Sequence, residues 1–178
     1  MFKIENLKYK NILDVKNLEI RPNIVTTIVG KSGSGKTTLL KLLNKLISPE
    51  SGKVYYLGND LEQVDSIAHR RNVVMLSQTP VVFAGSVKDN LLIGLDFSEK
   101  PHPSDDKLIE VLHKVHLNLS LSADADKLSG GEKQRLSLGR ILLMNPEVYL
   151  LDEPSSALDK ETEAIVISTL YTHVKETN

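Results

Sequence analysis

A chain of 178 residues with 40% hydrophobic and 25% charged side chains has the length and composition of one globular domain. Its formal charge of −1 gives no overall electrostatic basis for binding nucleic acid. Without cysteine it forms no disulfide, thiol nucleophile or Cys-ligated metal centre, and no apolar run approaches the roughly 18 residues that a membrane span requires.

Residues Met1 to Lys10 alternate charged and apolar side chains and lack the apolar centre of a secretion signal. The expected location is cytosolic, with any membrane contact made through a separate chain. Phe2–Leu7 and Val15–Ile20 alternate with turn material between them, which predicts an antiparallel β pair. Ile24–Val29 is a β-branched run and predicts a buried strand that leads into a glycine-rich stretch. Thr37–Ile47 carries leucines at helical spacing, and Pro49, Ser51 and Gly52 stop that helix. Val54–Leu57 and Val73–Leu76 predict short strands, separated by a turn at Gly58, Asn59 and Asp60.

From Thr79 to about Lys127 the pattern is helical, with a polar loop at Phe97–Asp106. Ser104 or Asp105 is placed to cap the helix that carries Leu108, Val111 and Leu112. A further helix starts near Gly131 and ends at Met144, before Pro146. Val148–Leu151 predicts a buried strand and Thr162–Val174 a last amphipathic helix. Strands alternating with helices indicate an α/β fold with a mostly parallel sheet, an N-terminal antiparallel part and a helical subdomain. We expect a single domain over residues 1–178, with its core in 1–78 and 128–178 and the helical insertion in 79–127.

Two stretches carry chemistry directly. Gly30-Lys31-Ser32-Gly33-Ser34-Gly35-Lys36-Thr37 follows a predicted strand and opens a predicted helix, and it fits the P-loop pattern at every fixed position. Glycines let the backbone curl so that N–H groups point at phosphate oxygens, and the helix offers its positive end to the same anion. Lys36 is the phosphate-reaching cation, Thr37 places a hydroxyl on Mg²⁺, and Thr38 completes the nucleotide-binding stretch. The second stretch is the apolar strand ending in Asp152 and Glu153. At the carboxyl end of a parallel strand, Asp152 is placed to hold Mg²⁺ and Glu153 to act as general base on a water. Taken alone, the same two carboxylates also fit a solvated turn.

Leu128-Ser129-Gly130-Gly131-Glu132 lies between these motifs. At a helix start, a serine and two glycines form a second anion cradle, or a plain cap. With it, the chain resembles the ABC ATPase family, whose signature is this segment. The resemblance covers nearly the whole chain and is most specific over residues 30–37 and 128–159. It implies that Gln78 is the family's Q-loop glutamine at the Mg²⁺ site and that Ser156-Ala157-Leu158-Asp159 is its D-loop. Tyr9 takes the position of an adenine-stacking aromatic, or is a surface strand tyrosine. ATP and Mg²⁺ are the implied cofactors. The implied partners are a second such domain in a head-to-tail homodimer and a separate transmembrane permease, with no nucleic acid. Ser129, Gly130 and Gly131 then serve the partner's ATP.

Pro80–Leu91 resembles the segment after the Q-loop in exporter-like members, and the short chain is similar to a bacterial group associated with iron or metal export. Non-transport members are the rival reading, but the interval of residues 38–127 is too short for the long coiled coil of repair types. The family also has a histidine well beyond the catalytic glutamate, on an inner strand beside the P-loop strand. It would fall past Asn178, and His173 comes too early, in a helical pattern. Losing that strand exposes sheet backbone and apolar surface, so the expectation is a truncated form of a longer cassette; a complete chain is expected to show weak hydrolysis, reduced stability or a sheet completed by another segment.

Overall fold

The computed structural model describes residues 1–154, 163–164, 167–169 and 171–172. It divides into two compact units, Met1–Met75 and Leu76–Asn178.

The first unit is built on an antiparallel sheet of β1 (Phe2–Tyr9), β2 (Leu13–Ile20), β3 (Ser51–Tyr56) and β4 (Asn59–Asp60), in the order β2-β1-β3-β4. Strand alternation puts Phe2 and Ile4 of β1 on the buried face, opposite Tyr56 and Val54 of β3. The register then shifts between Glu5 and Lys8, with Asn6 at φ 48°, so that Leu7 becomes the next buried side chain. Gly52 sits against this bulge at φ +82°, and a Cβ there would lie 2.2 Å from Asn6 O, closer than any side chain tolerates.

Helix α1 (Lys36–Leu43) buries Leu39, Leu40, Leu42 and Leu43 in this unit. It is shorter than the expected Thr37–Ile47. Lys45 turns to φ 57°, and the Asn44 side chain leaves the helix to donate to Val73 O, so Leu46 is exposed. Helix α2 (Ser66–Asn72) was not expected. Its signal was Asp65, whose carboxylate caps the first turn by accepting from Ile67 N–H at 3.0 Å and Ala68 N–H at 2.8 Å. Strand β5 (Val73–Leu76) falls where expected.

The Ile24–Val29 expectation is corrected. No strand is formed there among the described residues, and Ile24, Val25 and Val29 are exposed, Val29 by 86%. β-branched side chains favour extended backbone, but an inner strand exists only through ladders to neighbours on both sides, and none is bonded to this run.

On α2, His69 is 3% exposed, packs edge-on to Tyr56 and donates from Nε2 to Leu43 O at 2.8 Å. Its Nδ1 is buried with no partner. Burial, reinforced by the nearby cations Lys45 and Arg70, pushes its pKa below the ordinary value of 6.5, although the bond to Leu43 acts in the opposite direction. The unfolded chain therefore takes up this proton first as pH falls. The stabilisation is complete above pH 6.5 and is lost as pH drops towards the folded value. Thermal midpoints recorded from about pH 7.5 to about 5.5 should fall, and the fall should be shallower in His69→Gln; equal slopes would remove His69 as the cause.

The second unit contains α3 (Val87–Phe97), α4 (Asp105–Lys114), α5 (Gly130–Met144) and β6 (Val148–Leu151). α5 packs on α3 and α4, and Gly139 lets them close in: a Cβ there would meet Leu91 at 3.3 Å and Val111 at 3.4 Å. Leu91, Leu108, Leu112, Leu136 and Leu138 form the centre of this helical core. Ser104 caps α4 by position, without a side-chain bond, and Asp105 and Asp106 favour its positive end. Asp152 N–H donates to Leu76 O at 2.9 Å, so β6 runs in the same direction as the end of β5, with their carboxyl ends side by side. The fold is α/β with an antiparallel N-terminal sheet and this parallel pair. The described residues of the expected Thr162–Val174 helix are helical, while the Ser156–Asp159 segment and His173 lie outside the described residues.

Candidate nucleotide site

In the first unit, the loop from Gly30 to Gly35 curls through Gly33 at φ 77° and Gly35 at φ 91°, closed by Ser34 N–H to Lys31 O at 3.2 Å. Lys31, Ser32, Gly33 and Ser34 are exposed, which leaves the loop backbone open to an anion. The loop is a cradle that added atoms would fill. A Cβ at Gly30 would lie 2.7 Å from Ser34 Oγ, and one at Gly35 would lie 2.6 Å from Leu13 Cδ2. Lys36 reaches back across the loop and donates from Nζ to Gly30 O at 3.0 Å and Lys31 O at 3.1 Å. Its ammonium is thus already held over the loop. Thr37 and Thr38 follow in the first turn of α1, whose N-terminal end points its dipole into the loop. This shape and charge fit a nucleotide polyphosphate.

Tyr9 ends β1, half-buried, with Lys10 Nζ 5.4 Å from its ring centre. Its carbonyl accepts from Ile12 N–H at 3.2 Å, and Ile12 Cγ2 would lie 3.2 Å from a Cβ at Gly35. The β1–β2 turn therefore borders the phosphate loop. Sequence reasoning missed Ile12 and Leu13 as supports of that loop, because nothing in a strand's alternation marks which side chain will lie under a distant glycine.

In the second unit, the side-by-side ends of β5 and β6 put Gln78 and Glu153 within reach of each other. Gln78 Nε2 donates to Glu153 Oε2 at 2.7 Å. Glu153 is exposed and its backbone is left-handed at φ 48°, an uncommon conformation for this residue type that turns the chain sharply after the strand. Asp152 beside it is 5% exposed. Oxygen donors of this kind, two carboxylates and an amide, suit a hard cation such as Mg²⁺.

Ser129 caps α5 in a reciprocal capping box. Its N–H and Oγ donate to Glu132 Oε2 at 2.8 and 2.7 Å, and Glu132 N–H donates to Ser129 Oγ at 3.4 Å. The Ser129 hydroxyl and N–H hold the Glu132 carboxyl below its ordinary pKa. Ser129 and Gly130 are exposed and nothing lies near the missing Cβ of Gly130, so the helix start is open to an approaching anion.

Residues 13–156 match the family described as ABC transporter. The chain belongs to the ABC transporter family. Relatives include the lactococcin-A transport/processing ATP-binding protein LcnC of Lactococcus lactis subsp. lactis, 37% identical over 90% of this chain and 24% of its own length. ABC-type transporter fsqE of Aspergillus fumigatus is 33% identical over 88% of this chain and 13% of its own length. The chain thus spans about a quarter or less of these relatives. Among solved structures, a bacterial Atm1-family ABC exporter with ATP bound superposes with TM-score 0.87 at 26% identity, covering 97% of this chain and 32% of that one. A protein from Pyrococcus furiosus described as an ABC transporter's ATP-binding protein gives TM-score 0.86 at 26% identity, covering 99% and 87%.

ABC transporter ATP-binding domains are, as a family, ATPases that use ATP with Mg²⁺. The matched residues 13–156 include residues 30–37, Gln78, Ser129, Asp152 and Glu153. Among the described residues no helix is long and apolar enough to cross a membrane.

Proposed function

We propose that this chain binds and hydrolyses ATP as the nucleotide-binding subunit of an ABC transporter, acting on a separate permease from the cytoplasmic face of the membrane. The single observation that carries the hydrolytic part is the 2.7 Å bond from Gln78 to Glu153 at the paired strand ends. It supports the reading by orienting a carboxylate that could act as general base on water.

Each residue has a role in this reading. Backbone N–H groups of Gly30 to Gly35 and the ammonium of Lys36 hold the phosphates, with Thr38 in the same helix turn. Tyr9 offers its ring to adenine. In the second unit Gln78 and Asp152 would hold Mg²⁺, which supplies charge neutralisation of phosphate, and in the first unit Thr37 offers its hydroxyl beside the phosphate loop. Glu153 accepts the proton of the attacking water. Ser129, Gly130 and Gly131 serve the nucleotide of a second, head-to-tail copy. ATP between two copies stabilises the closed dimer, and its hydrolysis removes that stabilisation.

Phosphate release and light scattering, each followed with and without Mg²⁺-ATP, test this. The expected result is Mg²⁺-dependent release of phosphate and an ATP-promoted dimer. A folded chain that neither releases phosphate nor dimerises would rule the reading out.

A further inference from the structure

We propose that Arg140 is a positioning residue that couples the signature helix α5 to the Gln78–Glu153 pair. The proposal rests on the ATPase reading above and adds a route by which that site is regulated.

Helix α5 holds both sides of the pair. Near its start Gln134, 1% exposed, donates from Nε2 to Pro154 O at 3.2 Å, one residue past Glu153. Further along, Arg140 donates from Nη1 to Val81 O at 2.9 Å, and Ser137 Oγ reaches the same oxygen at 3.4 Å. Arg140 continues from Nε to Asn90 O at 2.6 Å and from Nη2 to Asn90 Oδ1 at 3.0 Å, with the Phe83 ring centre 5.1 Å from its guanidinium carbon. Asn90 is 0% exposed and completes the fastening, accepting from Phe83 N–H at 2.8 Å and donating to Phe83 O at 2.7 Å.

The segment after Gln78 is therefore tied to α5 at Val81. Pro80 and the Ser77 Oγ bond to Thr79 O at 2.7 Å leave little slack between Gln78 and Val81. A closed path results: Glu153, Pro154, Gln134, α5, Arg140, Val81, Gln78 and back to Glu153. A helix is stiff along its axis, so a shift or rotation of α5 moves Pro154 and Val81 together and changes how Gln78 holds Glu153. Ser129 begins the same helix. An anion taken up at Ser129 would thereby act on the catalytic carboxylate of its own chain.

The chemistry requires arginine. Its donors meet carbonyl oxygens rather than carboxylates, in surroundings whose burial lowers its pKa to about 10. A charge held this way is a poor stability device, whereas the rigid fork of donors reaches Val81 and Asn90 at once. A lysine ammonium is a point charge and cannot span the same acceptors.

The test uses the full chain with Arg140→Lys, Gln78→Ala and the double variant. Arg140→Lys is expected to keep KM within about twofold and lower kcat about tenfold. In the Gln78→Ala background it should lower kcat no further, since its effect passes through Gln78. Full kcat in Arg140→Lys, or losses that multiply in the double variant, would overturn the proposal. Amide hydrogen exchange over residues 78–86 reads the fastening without turnover; it should quicken in Arg140→Lys, and unchanged exchange would also overturn the proposal. A parent chain without turnover refutes the ATPase reading, and the exchange measurement then decides the fastening alone. Should Arg140→Lys not fold, Arg140→Gln, which also keeps a single donor group, takes its place in every arm.

Discussion

Glu153→Gln is expected to lower ATP turnover by about 10²- to 10⁴-fold, the range lost when a positioned general base is removed. The substitution changes chemistry more than geometry. Gln78 Nε2 donates to Glu153 Oε2 at 2.7 Å, and an amide oxygen at that position accepts the same bond. The neutral amide no longer takes a proton from water. Glu153 is exposed at the strand end, so no core packing is disturbed. ATP binding should therefore persist, and ATP that is not consumed should hold the dimer closed. Phosphate release at saturating ATP, with light scattering on the same sample, checks both halves. A variant that turns over at the parent's rate would show that the base lies elsewhere.

Lys36→Ala is expected to weaken ATP binding by about 10- to 100-fold, the scale of one strong charge-assisted contact to phosphate. Lys36 Nζ already bridges Gly30 O and Lys31 O at 3.0 and 3.1 Å, so removing it takes away both the charge and the strut that spans the loop. The side chain is half-buried at the start of α1, while the leucines on the other face carry the packing, so the fold should survive. Titration with labelled ATP, and the rise in thermal midpoint that ATP gives the parent, measure the loss. An unchanged affinity would place the phosphates away from this loop.

These two residues were legible in the sequence because each belongs to a short contiguous pattern. The same holds for Ser129, read as a cradle or a plain cap and found capping α5, and for Val73–Leu76 and Val148–Leu151, which form strands at the expected positions. Asp65, which caps α2, is an equally local signal. The end of α1 was less legible. Leucines continue past Leu43, but Asn44 and Lys45 leave the helix to bond Val73 O and Val64 O, partners that helical spacing does not reveal.

By itself the sequence determined the local chemistry of this protein: the glycine loop with its lysine, the strand ending in two carboxylates, the serine-capped helix, and through them the family. Each follows from rules that act within a few residues, namely backbone freedom at glycine, side-chain capping and strand or helix period. Only the tertiary structure decided that Gln78 holds Glu153, that Leu13 and Ile12 support Gly35, and that Arg140 grips Val81. It also decided that the β-branched Ile24–Val29 run forms no ladder. These outcomes depend on which distant backbone arrives alongside, and a hydrogen bond or a packed methyl group contributes only once that partner is in place.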